Sequence, residues 1–105
     1  MTNQAVNRKA WYVYLVRTVD GRLYAGIATD VDRRFREHCA QGPRTARYLR
    51  AHKPRALVFA QRIGDRSLAL KVEYRLKRLP RSAKLRVVDK GKLRYDKKSG
   101  SIHVQ

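Results

Sequence analysis

The sequence predicts an α/β (α+β) domain: a small three-stranded antiparallel sheet flanked by helices, in the order β-β-α-(α)-β-α-α. Three observations predict it. An aromatic and β-branched run at 11–17 is followed by the Asp20-Gly21 turn signal, which announces a hairpin. Two later stretches carry apolar residues at helical spacing behind Asp, Ser or Thr cap residues. The chain of 105 residues suffices for one domain and not two.

Each element has its own reason. Residues 1–9 are polar and read as a flexible N-terminus, so the folded domain is expected over 10–89. Trp11 to Arg17 alternates along the first strand, with Tyr12, Tyr14 and Val16 on one face and Trp11, Val13 and Leu15 on the other. The second strand runs from Arg22 to Ile27. Thr29 or Asp30 caps a helix to about Cys39, and Gly42-Pro43 ends that region. Residues 44–52 suit a short helix closed by Lys53-Pro54. Ala56 to Ile63 is the third strand. Asp65 or Ser67 caps a helix to about Leu79, and Ser82 caps another to about Asp89. Residues 90–105 are basic and lack apolar periodicity, which predicts a flexible tail.

Charge is the strongest compositional signal. Lys and Arg number 26 against 8 Asp and Glu, a formal net charge of +18. So large an excess repels itself and calls for a polyanionic partner, with nucleic acid foremost. No stretch reaches the ~18 apolar residues of a membrane span. Residues 1–10 carry no apolar run of a secretory signal, and Cys39 is the single cysteine. These features place the protein in the cytoplasm, away from membranes.

Two helices carry polar residues where apolar ones belong. In the first, the stripe i, i+3, i+4, i+7 reads Val31, Arg34, Phe35, His38, while Asp32, Arg33, Arg36 and Glu37 fall elsewhere. In the later helix the stripe reads Ala69, Val72, Glu73, Leu76. An inward carboxylate is costly unless paired or metal-bound. Arg34 and Glu73 therefore form either a buried pair or part of a site, and the residues alone leave both open. His38 by itself suits a hydrogen-bonded helix histidine. Tyr14 and Tyr24 depend on the hairpin. A two-residue loop pairs Arg17 with Tyr24 and separates the phenols; a three-residue loop with Gly21 left-handed pairs Val16 with Tyr24 and brings them to one face. Cross-strand aromatic packing is the plain alternative for both.

Taken together, Tyr12-Val13-Tyr14, Tyr24-Ala25-Gly26, Arg34, His38 and the distant helical Glu73 resemble the GIY-YIG nuclease superfamily. The stretches from Leu23 to His38 and from Gly64 to Tyr74 are most similar to its small YhbQ-type bacterial members. The resemblance spans roughly residues 11–88. Tyr12 stands where the first motif has Gly, Ala25 stands where the second has Ile, and an Asn found after the glutamate helix in some members has no clear counterpart. The resemblance implies a one-metal phosphodiester hydrolase. In it Glu73 holds a divalent ion, Mg²⁺ or Mn²⁺, that stabilises the leaving oxygen. Arg34 clamps the scissile phosphate. Tyr14 orients or deprotonates the attacking water, aided by Tyr24 or His38.

Two basic segments stand out: Arg44, Arg47, Arg50, Lys53 and Arg55 with Tyr48 and His52, then Lys71, Arg75, Lys77, Arg78, Arg81, Lys84 and Arg86; from them, with Arg33, the candidate nucleic-acid contacts are Arg33, Arg44, Arg47, Tyr48, Arg50, Lys53, Lys71 and Lys77. The cations suit the backbone, and Tyr48 suits stacking on an unpaired base. No recognition helix is visible, so single-stranded or branched DNA is favoured over plain duplex, with RNA open and repair one of several possible pathways. One site per chain fits a monomer or a weak homodimer. Two other readings stand beside the nuclease: a catalytically silent nucleic-acid-binding module on the same fold, and a basic ribosome-associated protein.

Overall fold

Strand β1 (Trp11–Thr18) is the centre of the sheet in the computed structural model, which describes residues 9–104. β2 (Leu23–Ala28) pairs on one side of it and β3 (Pro54–Gly64) on the other, both antiparallel, giving the order β2-β1-β3. Helix α1 (Val31–Ala40) and the short α2 (Arg47–Ala51) connect β2 to β3; α3 (Arg66–Lys77) and α4 (Arg81–Lys90) follow. The expected three-stranded α+β architecture is what forms. The expected flexible N-terminus falls, apart from Lys9, outside the described residues.

The hairpin settles the open question of register. Gly21 is left-handed at φ +82°, Val16 pairs with Tyr24, and Tyr14 pairs with Gly26. The Thr18 hydroxyl donates to Asp20 Oδ1 at 2.5 Å and accepts the Arg22 N–H at 2.8 Å, which fixes the three-residue loop. Both phenols therefore face one side.

The sheet separates two cores. Val13 and Leu15 of β1 bury against Ala69, Val72 and Leu76 of α3, Val87 of α4, and Leu93. Tyr14 and Val16 face Leu49 of α2, with Val31 and Phe35 of α1 packed alongside. Caps define the helices. Asp30 accepts the Arg33 N–H at 3.0 Å, and Asp65 accepts the Leu68 N–H at 2.9 Å. α4 differs from expectation: Pro80 is its N-cap, with no side-chain cap, and Ser82 lies inside the helix.

The basic tail expected after Asp89 is instead folded. β4 (Arg94–Tyr95) and β5 (Ile102–His103) form a two-stranded hairpin. Leu93, 4 % exposed, joins the larger core, with Tyr95, Ile102 and Val104 packed against it. The Gln61 side chain donates to the Leu93 carbonyl at 2.9 Å and accepts the Leu93 N–H at 2.7 Å. The Tyr95 hydroxyl donates to the Ile63 carbonyl. These anchors come from β3, far away in sequence, which is why local periodicity does not reveal the hairpin.

Candidate active site

Strand alternation, a glycine and a helix stripe converge on one buried polar cluster. Tyr14 points from the middle strand, 1 % exposed, and its hydroxyl lies 2.9 Å from His38 Nε2. Its ring crosses Gly26 on β2. A Cβ there would sit 2.5 Å from the Tyr14 hydroxyl oxygen and 2.6 Å from the carbon bearing it, so only glycine admits the phenol in this position. Tyr24, two residues before Gly26, lies with its ring centroid 6.5 Å from that of Tyr14 and edge-on to His38 at 5.8 Å. His38 is fully buried at the end of the α1 stripe.

The hydrogen bonds fix the direction of the Tyr14–His38 contact. The Ala46 N–H donates to His38 Nδ1 at 3.2 Å. A backbone N–H can only donate, so Nδ1 must carry the lone pair. In the neutral ring Nε2 then carries the hydrogen and donates to the Tyr14 oxygen. The ring is neutral because burial, reinforced by the Arg34 charge, holds its pKa at about 4. His38 is thus a donor to Tyr14 and cannot take its proton in this arrangement.

Arg34 and Glu73 complete the cluster without pairing with each other. Arg34 Nη1 donates to Glu37 Oε1 at 2.9 Å and to the Arg44 carbonyl at 2.6 Å. The buried-pair reading of Arg34 and Glu73 therefore fails: among the described residues the carboxylate bridging Arg34 is Glu37. Glu37, which falls off the apolar stripe of α1, is half-buried and aims the guanidinium; its i, i+3 spacing from Arg34 was the available signal. The Arg34 hydrogen bond holds the Glu37 carboxyl below its ordinary range. Burial drives the Tyr14 phenol well above its usual range, Tyr24 and Glu73 add to this, and Arg34 opposes it. Burial likewise raises Tyr24, with Glu73 and Arg34 acting in opposite senses. Glu73 is 16 % exposed at its side chain, and its ion-pair contact, Lys77 Nζ, is distant at 4.0 Å.

The sequence is matched by comparison with those of known proteins. Residues 10–86 match the model of the GIY-YIG catalytic domain. The chain belongs to the GIY-YIG family. Within that nuclease family it is similar to the UPF0213 protein YhbQ of Salmonella typhimurium, with 51 % identity over 78 residues, 74 % of this chain and 76 % of the relative. The YhbQ protein of Escherichia coli and a UPF0213 protein of Citrobacter koseri are each 48 % identical over 81 residues, covering 77 % of this chain and 79 % of theirs. No solved structure matches the chain. Membership in the GIY-YIG family makes nucleic acid the substrate in general.

The candidate contact residues are spread around this GIY-YIG centre. Arg33, Arg44, Arg47 and Arg50 lie exposed along α1, the following loop and α2, with Lys53 just beyond; Lys71 and Lys77 are exposed on α3. Arg50 is partly committed to the loop, donating to the carbonyls of Gly42 and Pro43. Tyr48 stacks on Tyr24 at 5.8 Å and also meets His52 at 4.6 Å, so it extends the two phenols outward as a short aromatic row. Among the described residues no helix is long and apolar enough to cross a membrane. Ala46 was invisible to sequence reasoning, because it acts through its backbone.

Proposed function

We propose that this protein is a metal-dependent endonuclease that hydrolyses phosphodiester bonds in single-stranded or structured DNA in the bacterial cytoplasm. One observation carries the reading: a buried tyrosine hydroxyl is held by a histidine donor, with an arginine and a carboxylate acting on it and not on each other. A packing cluster gains nothing from leaving Arg34 and Glu73 separate beside two phenols.

The residues fit a divalent ion of one kind. Among the described residues no group of three or more His, Cys, Asp or Glu side chains could cage a metal. Glu73 alone offers a half-buried carboxylate beside the phenols, which suits Mg²⁺ or Mn²⁺ retaining most of its waters. When bound, the ion supplies positive charge for the leaving oxygen. The chain's own groups do the rest. Arg34, aimed by Glu37, clamps the scissile phosphate and offsets charge that builds in the transition state. Tyr14 holds the attacking water. Because His38 donates to its oxygen, the phenolic hydrogen is free to turn away from His38. The same donor stabilises a phenolate if Tyr14 gives up its proton, so His38 assists as a hydrogen-bond donor. Tyr24 borders the same space.

The test is cleavage of end-labelled single-stranded, duplex and flapped DNA and of single-stranded RNA, with Mg²⁺, with Mn²⁺ and with chelator. Glu73→Ala protein, its fold checked by circular dichroism, runs alongside. Metal-dependent cutting by the wild type and loss of about 10³-fold in the variant is the expected result, several kcal/mol of transition-state stabilisation. Tight binding without cutting on every substrate would replace this reading with the silent binding module.

A further inference from the structure

Lys84 occupies a position that costs the fold stability. It ends the first turn of α4, which has Arg81 and no acidic residue. A cation there opposes the helix dipole. Its side chain is half-buried, and burial followed by the charge of Lys77 lowers its pKa from the ordinary lysine range. Among the described residues no carboxylate pairs with it. Arg81 is engaged elsewhere, donating to the Gly21 carbonyl. Lys77 has only the long Glu73 contact at 4.0 Å. The two lysines come from different helices yet line one cleft of about 360 Å³ with Leu23, Tyr24, Ala25 and Tyr48. Tyr24 also faces His38, so the cleft opens directly beside the catalytic cluster.

We propose that this cleft is a phosphate subsite, in which Lys77 and Lys84 grip the backbone phosphate of a nucleotide neighbouring the scissile one. The inference rests on the nuclease reading and adds to it a defined place for the flanking strand. A phosphodiester anion offsets each of the costs above. It separates the two like charges, replaces the water that Lys84 has lost, and complements the start of α4. The apolar floor of Leu23 and Ala25 and the Tyr24–Tyr48 wall suit a sugar and base rather than a hydrated ion. Lys84 is thus a residue held against stability for the sake of binding.

The experiment uses Glu73→Gln protein, so that substrate survives, and a labelled single-stranded oligonucleotide titrated by fluorescence anisotropy from 50 to 200 mM salt. Adding Lys84→Met is expected to weaken binding about tenfold and to reduce the salt slope by about 0.7, the contribution of one single-strand phosphate. It is also expected to raise the melting temperature, and Lys84→Arg is expected to retain binding. On the unsubstituted chain with chelator, oligonucleotide should protect Lys84 from amine acetylation more than it protects Lys90, read by mass spectrometry. Unchanged affinity and salt slope with a lowered melting temperature, or no protection of Lys84, would overturn the subsite and leave the nuclease reading standing. Failure of the Glu73→Gln parent to bind any nucleic acid would overturn both.

Discussion

On one side of the sheet Val13 and Leu15 meet Ala69, Val72 and Leu76 of α3, Val87 of α4 and Leu93, with Tyr95 and Ile102 of the C-terminal hairpin packed against them, in an apolar core. On the other side Tyr14, one residue away, meets His38 in a smaller core that keeps phenols, an imidazole and a guanidinium close together. The first face gains its stability by area removed from water. The second buries polar groups that must be satisfied one by one, and it satisfies them: the Ala46 N–H goes to His38, His38 to Tyr14, and Arg34 to Glu37. The apolar core and the buried polar cluster are thus separated by the two-residue period of a single strand, with Glu73 of α3 acting on Tyr14 from the other layer.

That division can be broken on either side. The largest effect on stability is expected from Leu76→Ala, which empties a fully buried position of the apolar face. It should cost about 3 kcal/mol in urea unfolding. At temperatures where it remains folded, its cleavage rate should stay within a few-fold of wild type. Gly26→Ala attacks the polar face instead. The added methyl must displace the Tyr14 ring, so about 2 kcal/mol of stability is lost through overpacking. Here cleavage, measured on the folded protein, should fall more than tenfold, because the displaced group is the one proposed to hold the water.

A gentler probe is pH. The His38 pKa is held at about 4 in the folded state, against 6.5 for a free imidazole. Between these values the unfolded chain takes up the proton more readily. Stability is therefore full above pH 6.5 and declines as pH falls toward 4, by on the order of 2 kcal/mol. Urea midpoints measured across that range should show the decline in wild type and a flatter profile in His38→Gln. An identical profile in both would detach the effect from His38.

Much of this was legible in the sequence because it is local. Alternation in 11–17 assigned the strand faces, and the stripes of two helices, one with Arg34 and His38 and one with Glu73, pointed polar groups inward. The Asp20-Gly21 signal permitted two registers, and the choice between them lay in the Thr18 hydroxyl, whose bonds to Asp20 and Arg22 set the loop length. What stayed hidden was long-range or carried by the backbone. The C-terminal hairpin depends on Gln61 and Ile63 of a distant strand. Ala46 contributes only an N–H. Glu37 is a charged residue off the apolar stripe, and its half-burial and its pairing with Arg34, which also binds the Arg44 carbonyl, appear only in the fold. Lys84 lies within a run of basic residues that look alike in sequence, and only the fold shows that it is half-buried beside Lys77 in one cleft.

We propose the polar face as a reaction centre and not a packing unit. Tyr14→Phe tests it most directly, since it removes one oxygen and keeps the ring over Gly26. Removing the acceptor of the His38 hydrogen should cost about 1 kcal/mol of stability. Metal-dependent cleavage by the folded variant should fall about 100-fold or more. The same small loss of stability with cleavage unchanged would contradict the account.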